Sequence, residues 1–162
     1  MATKLNAILE FPADATAVFA MFSAPTYLDM KCAQSAQGSF NITDSESGLL
    51  ICVERSLDDI PETYRKFLGS DLMIKEVQTW HIDNASRFYA DLKISIDAKP
   101  ILLSATLNLT STQSGSQLIF DGEVVVSIPL FGAMAENFIG EHFSAVIAQE
   151  HTIGLQWLSA HK

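Results

Sequence analysis

The sequence has few cysteines, few basic residues and no long apolar run, and each scarcity excludes a class of protein. Cys32 and Cys52 are the only cysteines, and they form no CxxC pair. We expect two reduced, partly buried thiols and no disulfide framework. No stretch approaches the ~20 apolar residues of a transmembrane helix, and the N-terminus lacks the apolar core of a signal peptide. These absences predict a cytoplasmic protein without stable membrane insertion.

Positive charge is scarce throughout the chain. The sequence has 10 Lys and Arg against 19 Asp and Glu, which gives a formal net charge of −9 at pH 7. Proteins that bind nucleic acid gain much of their affinity by neutralising phosphates with Lys and Arg. No Lys/Arg cluster is present that would attract an anionic membrane surface. We therefore expect no nucleic-acid partner.

The motifs of common catalytic and cofactor sites are also missing. The chain contains no GxSxG, no P-loop and no GxGxxG. Its histidines lie at 81, 142, 151 and 161, and this spacing does not suggest a zinc or iron site. We therefore predict no metal, no cofactor and no assignable catalytic residue. A Ser-His-Asp set remains open, because such groups converge in space and not along the chain.

What the chain does have is a long strand followed by a long helix at its C-terminus. Apolar residues alternate from Leu118 to Ile128, which is typical of a strand with one buried face. Pro129 has no N–H to donate, so it ends the strand. Beyond it, Ile139, Phe143, Val146, Ile153 and Trp157 follow helical spacing. This pattern predicts an amphipathic helix of about 30 residues.

The rest of the chain supplies strands and short helices. We predict strands over 3–11, 38–44, 49–57, 71–82, 86–97, 101–112 and 116–128, short helices from Pro12 to Phe22 and from Thr26 to Gln34, and a helical turn from Pro61 to Gly69. The short links between the last four strands favour antiparallel neighbours. Strand 71–82 is ambiguous, because apolar residues lie on both of its faces. The predicted fold is α+β, with one curved antiparallel sheet of about seven strands wrapped around the C-terminal helix and two short helices after strand 1.

Four segments of the chain resemble a known family. They are FAMFSAP at 19–25, IP with RKFLG at 60–69, EVQTW at 76–80, and VSIPLFGAMAE at 126–136. With the element order, they make the chain similar to the START-like (SRPBCC, Bet v 1-like) helix-grip superfamily, and more closely to the DUF2505 family of uncharacterised bacterial proteins. The resemblance implies a single START-like domain over residues 1–162. Superfamily members often hold lipids, sterols, polyketides or other apolar ligands.

A cavity between the sheet and the C-terminal helix would be lined by apolar and aromatic side chains with a few polar groups. The alternative for the aromatic residues is that they only fill the core. The predicted ligand-binding residues are Trp80, Phe88, Leu107, Phe120, Ile139, His142, Phe143, Val146 and Glu150.

Several polar and glycine positions leave alternatives open. Glu150 lies within the apolar stripe of the helix, where it either reaches water at the sheet rim or anchors a ligand at the mouth of a pocket. His142, on the flank of that stripe, is either a boundary residue or a ligand contact. Glu136 and Asp121 are expected to be solvated. Gly140, which lowers helix propensity, suggests either close packing or a bend.

These expectations lead to a function hypothesis with two alternatives. We predict a non-enzymatic binding or carrier protein for an apolar small molecule, such as a lipid, an isoprenoid or a polyketide-like compound. An enzyme of the cyclase or dehydratase kind and a protein-interaction module are the alternatives. The strands show no dense polar constellation, which favours binding over catalysis. Convergence of two or more of His142, Glu150, Trp80 and Glu76 in one cavity would favour an enzyme.

Overall fold

A computed structural model describes residues 2–84 and 87–161. The predicted start of the fifth strand at residue 86 lies outside the described residues. The strands are β1 (Ala2–Phe11), β2 (Gly38–Ser45), β3 (Gly48–Leu57), β4 (Leu72–Asn84), β5 (Arg87–Ile96), β6 (Ile101–Thr112) and β7 (Gly115–Val126). The helices are α1 (Ala15–Phe22), α2 (Pro25–Cys32), α3 (Glu62–Leu68) and α4 (Gly132–Ala160).

The seven strands form one antiparallel sheet in the order β1-β7-β6-β5-β4-β3-β2. Consecutive strands from β2 to β7 pair with one another, with α3 inserted between β3 and β4, and β1 forms one edge of the sheet by pairing with β7. Burial alternates along the strands as the periodicity predicts: on β5, Phe88, Ala90 and Leu92 are buried and the residues between them are exposed. The sheet curves around α4, which confirms the predicted α+β helix-grip architecture.

Local sequence signals set the ends of the short helices. The Asp14 carboxylate caps α1 by accepting a hydrogen bond from the backbone N–H of Ala17 at 2.9 Å. Pro25 occupies the first turn of α2, where its missing N–H costs nothing. Gly69 ends α3 with φ of 83°, which favours glycine. The helices lie where the sequence predicts them, and α2 brings Lys31 to the sheet interior.

Helix α4 is fully buried only near its two ends. Its buried residues are Ala135, Glu136, Phe138, Ile153, Gly154 and Leu158. Residues 139–152, all of which the structure describes, include no buried residue. The middle of the helix therefore crosses a hollow, and its apolar stripe is only half covered there.

For α4, the expectation for Glu136 is wrong, and one of the two alternatives for Gly140 is excluded. Glu136 is not solvated: it is 4% exposed, because the first turns of the helix lie on β1, and one carboxylate oxygen accepts a hydrogen bond from Thr3 Oγ1. Gly140 is not closely packed, because a Cβ there would meet no atom within 4 Å. The close approach occurs at Gly154, where a Cβ would lie 3.2 Å from Phe11 and Met21. Asp121 is exposed, as expected.

Candidate functional site

Two neighbouring hollows lie between the concave face of the sheet and α4. The smaller has a volume of about 100 Å³ and the larger about 400 Å³. Both are walled mainly by apolar side chains. The residues that border both hollows are Arg55, Glu76, Ile94, Phe143 and Val146. Charged groups therefore stand at the boundary between two largely apolar spaces.

Four charged side chains form a network at this boundary. Lys31 Nζ lies 2.7 Å from Glu76 Oε2 and 3.5 Å from Glu150 Oε1. Arg55 Nη2 lies 2.7 Å from Glu150 Oε1 and 3.8 Å from Glu76 Oε1. Each cation thus contacts both carboxylates, and each carboxylate contacts both cations. We call these four residues the ion quartet.

The quartet is assembled from four separate elements. Lys31 comes from α2, Arg55 from β3, Glu76 from β4 and Glu150 from α4. Strand pairing places Val53 opposite Glu76 and Arg55 opposite Ile74, so Arg55 and Glu76 are diagonal neighbours on the inner face. Because the helices and the sheet each contribute charges, the network forms only when the helices have packed on the sheet.

A chain of hydrogen bonds extends the quartet along β4. Trp80 Nε1 donates to Gln78 Oε1 at 2.8 Å, and Gln78 Nε2 donates to Glu76 Oε2. Trp80, Gln78 and Glu76 are all buried and occupy alternate positions of one strand. The chain fixes the Glu76 carboxylate, since one of its oxygens receives both the Lys31 ammonium and the Gln78 amide.

The quartet favours the ionised forms of Lys31, Arg55 and Glu76 despite their burial. Burial by itself raises the pKa of Glu76, but Lys31 and Arg55 outweigh it and hold that pKa below its ordinary value. Burial lowers the pKa of Lys31, but Glu150 and Glu76 outweigh it and raise the pKa. The pKa of Tyr27 is raised well above normal by burial and by the two carboxylates. The site therefore contains two cations, two anions and a neutral phenol.

The structure places eight of the nine predicted ligand-binding residues on cavity walls. The residues bordering the smaller hollow are Trp80, Leu107, Phe120, Phe143, Val146 and Glu150; those bordering the larger are Ile139, His142, Phe143 and Val146. Phe88 borders neither. It is buried in the core and stacks on Phe19 with ring centroids 4.5 Å apart. Contact with a ligand stays a prediction for all nine.

Glu150 is partly buried and ion-paired within the apolar stripe. Its side chain is 18% exposed, so it reaches water only in part, and its Oε1 also contacts Arg55 Nη2 at 2.7 Å. Arg55 and Lys31 neutralise it, which explains how a carboxylate is tolerated among apolar neighbours. Whether Glu150 also anchors a ligand stays a hypothesis.

His142 borders the larger hollow on the same helix. Its ring stacks on Phe138 with centroids 5.7 Å apart. Burial and the nearby Arg55 cation both lower its pKa. His142 is therefore neutral at pH 7 and adds no positive charge to the cavity.

Sequence analysis missed Lys31, Arg55 and Gln78 as site residues, and its statement that the strands lack a polar constellation is wrong. The signal lay in the ambiguous strand. Leu72, Ile74 and Trp80 share one phase of β4, and the two positions between Ile74 and Trp80 in that phase are Glu76 and Gln78. Two polar residues at inward positions of a strand indicate a polar site in the interior.

A serine, a histidine and an aspartate also meet, but on the outer face of the sheet. Ser47 Oγ lies 2.6 Å from His81 Nδ1, and His81 Nε2 lies 3.6 Å from Asp91 Oδ2. The Asp91 side chain is 67% exposed, and none of the three residues borders either hollow. We assign this cluster no catalytic role, because it is open to water and borders neither hollow.

The curved antiparallel sheet, the long C-terminal helix and the cavity between them define the START-like (Bet v 1-like) helix-grip class. Within that class, residues 6–158 match the family described as "Protein of unknown function (DUF2505)", and the chain belongs to this family. No curated protein matches the sequence significantly. In the described part of the chain, no helix is both long and apolar enough to cross a membrane.

Solved structures with the same fold include proteins with and without a known activity. One is an uncharacterised protein from Rhizobium leguminosarum (TM-score 0.62, 12% identity, 96% of this chain and 95% of that one). Another is the Zhui aromatase/cyclase from Streptomyces sp. R1128 (0.57, 10%, 96% and 90%). A third is norcoclaurine synthase from Thalictrum flavum, solved with dopamine and hydroxybenzaldehyde (0.59, 15%, 100% and 89%). At these identities the similarity establishes the fold alone.

Proposed function

We propose that this protein binds an apolar small molecule, such as a lipid, an isoprenoid or a polyketide-like compound, in the hollow under α4. The proposal rests on the partial burial of the middle of α4. Ile139, Phe143 and Val146 lie on the apolar stripe of the helix, yet they are only half buried because they face the hollow. Apolar surface gains about 25 cal/mol per Å² when it is covered. A ligand that fills the hollow would supply this missing cover.

The size of the space fits such a ligand. The larger hollow alone, at about 400 Å³, falls within the roughly 300–1,000 Å³ typical of small-molecule sites. Its walls combine apolar side chains with a few polar groups, which is the composition of sites that hold one molecule in a defined orientation.

An enzyme of the cyclase or dehydratase kind is the second candidate, and one observation favours it. Glu76 is hydrogen-bonded through Gln78 to Trp80, and Lys31 and Arg55 link it to Glu150. Glu76, Trp80 and Glu150 are three of the four residues whose convergence would favour an enzyme. Against catalysis, every charge of the quartet is neutralised by another member. A general acid or base needs a proton that it can exchange near neutral pH, whereas the pKa of Lys31 is raised and that of Glu76 is lowered, so both are moved away from that range.

A protein-interaction module is supported less well. Leu130 and Phe131 before α4 and Met134 in its first turn are exposed, but Phe131 stacks on Phe67 with ring centroids 5.3 Å apart. These few side chains form a small apolar patch, whereas partner surfaces are larger. The hollow under α4 is the more developed feature.

Native mass spectrometry of the purified protein tests the proposal, followed by organic extraction and identification of any bound compound. We expect an apolar molecule in a one-to-one complex. If the protein is isolated empty, displacement of a neutral fluorescent dye such as N-phenyl-naphthylamine by a panel of lipids and isoprenoids gives the same information.

A pair of variants ties the binding to this hollow. Val146→Trp places a large ring in the cavity, whereas Ala145→Trp places the same ring on the exposed face of the same helix. We expect Val146→Trp to weaken dye binding at least ten-fold and Ala145→Trp to leave it unchanged. Equal binding by both variants would show that the dye does not occupy this hollow.

A further inference from the structure

We infer that the ligand is an uncharged amphiphile, an apolar chain or ring system that bears a hydroxyl or carbonyl group, and that the ion quartet receives this polar group and rejects charged head groups. The inference rests on the proposed binding function and specifies the chemistry of its ligand. It follows from the charge balance of the quartet and from the charges around the larger hollow.

The quartet is already electrically balanced. Lys31 and Arg55 contribute two positive charges, Glu76 and Glu150 contribute two negative charges, and the four are joined by contacts of 2.7 to 3.8 Å. A ligand carboxylate or phosphate would add a third anion against two cations among largely buried side chains. A ligand ammonium would add a third cation against two anions. In either case one charge would be buried without a partner, which is strongly unfavourable.

A neutral oxygen meets no such penalty at the same position. Arg55 borders both hollows, and its guanidinium has five N–H donors. Its contacts with Glu150 and with the backbone carbonyl of Lys31 use only part of that capacity. Glu150, beside it, borders the smaller hollow and offers acceptor oxygens. A carbonyl can accept from Arg55, and a hydroxyl can in addition donate to Glu150.

The larger hollow also disfavours anions on their way in. Its wall includes Asp58, Asp59 and Glu76 as carboxylates, with Arg55 as the cation. His142, on the same wall, is neutral because burial and Arg55 lower its pKa. A fatty acid would therefore pass two exposed aspartates and end beside a carboxylate. Lauryl alcohol, which has the same chain, would not be repelled.

Three ligands with the same chain and different head groups test the inference. They are lauryl alcohol, laurate and laurylamine, each titrated at pH 7 against delipidated protein that holds N-phenyl-naphthylamine. We expect lauryl alcohol to displace the dye at least ten-fold more effectively than either charged ligand. If laurate or laurylamine binds as tightly as the alcohol, the inference about the head group is wrong, but the proposed binding of apolar molecules still holds. If the dye binds and none of the three displaces it, or if no dye binds, the inference fails as well.

Two charge variants provide an independent test of the role of the quartet. Glu150→Gln leaves one excess positive charge, so the preference for the alcohol over laurate should shrink at least five-fold. Arg55→Gln leaves one excess negative charge, so it should instead reduce the preference for lauryl alcohol over laurylamine. Circular dichroism confirms that each variant folds. Unchanged preferences in folded variants would overturn the assignment of head-group selection to the quartet, and the wild-type comparison stands even if one variant fails to fold.

Discussion

Removing the charge of either buried member of the Lys31–Glu76 pair should destabilise the protein, and removing both charges should cost clearly less than the two single losses added together. Lys31→Met leaves two carboxylates to share Arg55, and Glu76→Gln leaves two cations to share Glu150. The double variant leaves Arg55 and Glu150 as one balanced pair. Glutamine at position 76 also retains an oxygen that can accept the Gln78 amide.

The magnitude follows from the geometry. Lys31 and Glu76 are 3% and 5% exposed, and their charged atoms are 2.7 Å apart. At an effective dielectric constant of about 20, the attraction is about 6 kcal/mol. Desolvation of the two ions offsets most of it, at several kcal/mol each. Breaking such a pair from one side costs about 3–5 kcal/mol, because the remaining charge loses its partner. We expect each single variant to lose this amount and the double variant to lose at least 2 kcal/mol less than the sum.

Urea unfolding followed by circular dichroism, with all four proteins measured at one temperature, gives the free energies of unfolding. Additivity within about 0.5 kcal/mol would refute the reasoning, because it would mean that the two side chains do not interact. Arg55→Met with Glu150→Gln forms a matched second cycle. We expect a smaller coupling there, since the Arg55 and Glu150 side chains are 12% and 18% exposed.

Three further predictions concern pH and the long helix. The pKa of Glu76 lies below its ordinary value of 4.5. The stability that Glu76 contributes is therefore complete above pH 4.5 and is lost as the pH falls through the lowered pKa. Unfolding midpoints of Glu76→Gln should accordingly depend less steeply on acid pH than those of wild type. His142 should titrate below its usual 6.5 in an NMR titration, and Arg55→Met should raise that pKa without restoring it fully, because burial still lowers it. Gly140→Ala should stabilise the protein by up to about 1 kcal/mol in urea unfolding, whereas Gly154→Ala should destabilise it, because the added Cβ would crowd Phe11 and Met21. Equal effects at the two glycines would contradict the packing described for α4.

The fold could be predicted from the sequence because local signals agree with it along most of the chain. Alternation on the β5 and β6 strands matches their burial, Gly69 ends α3, and Pro129 lies in the turn between β7, which ends at Val126, and α4. Helix α4 was predicted from its apolar stripe, although the stripe alone could not show that its middle faces a hollow. A half-buried residue such as Val146 and a fully buried one such as Ile153 occupy equivalent positions in the pattern.

The quartet could not be predicted as a unit, because its members lie far apart in the sequence on four elements. The sequence pattern indicates only Glu150 and Glu76 as candidates. It does not distinguish Lys31 and Arg55, because a lysine in a short helix and an arginine in a strand are ordinary on a surface. Sequence patterns show which face a residue occupies and not which charges meet on it.

The disagreement in strand β4 is nevertheless informative about function. Apolar residues at the inward positions of Glu76 and Gln78 would fill the interior, and replacing a buried ion pair with packed apolar residues is often neutral or stabilising. Stability therefore does not account for two polar residues there, or for the Lys31 and Arg55 cations that they require. They are accounted for if the cavity must discriminate between molecules by their polar groups, since an entirely apolar hollow would bind an alkyl chain with little regard to its head group. The polar residues that interrupt the apolar inner face of β4 lie at the boundary between the two hollows, where Glu76 borders both. Head-group selection is therefore the property to measure.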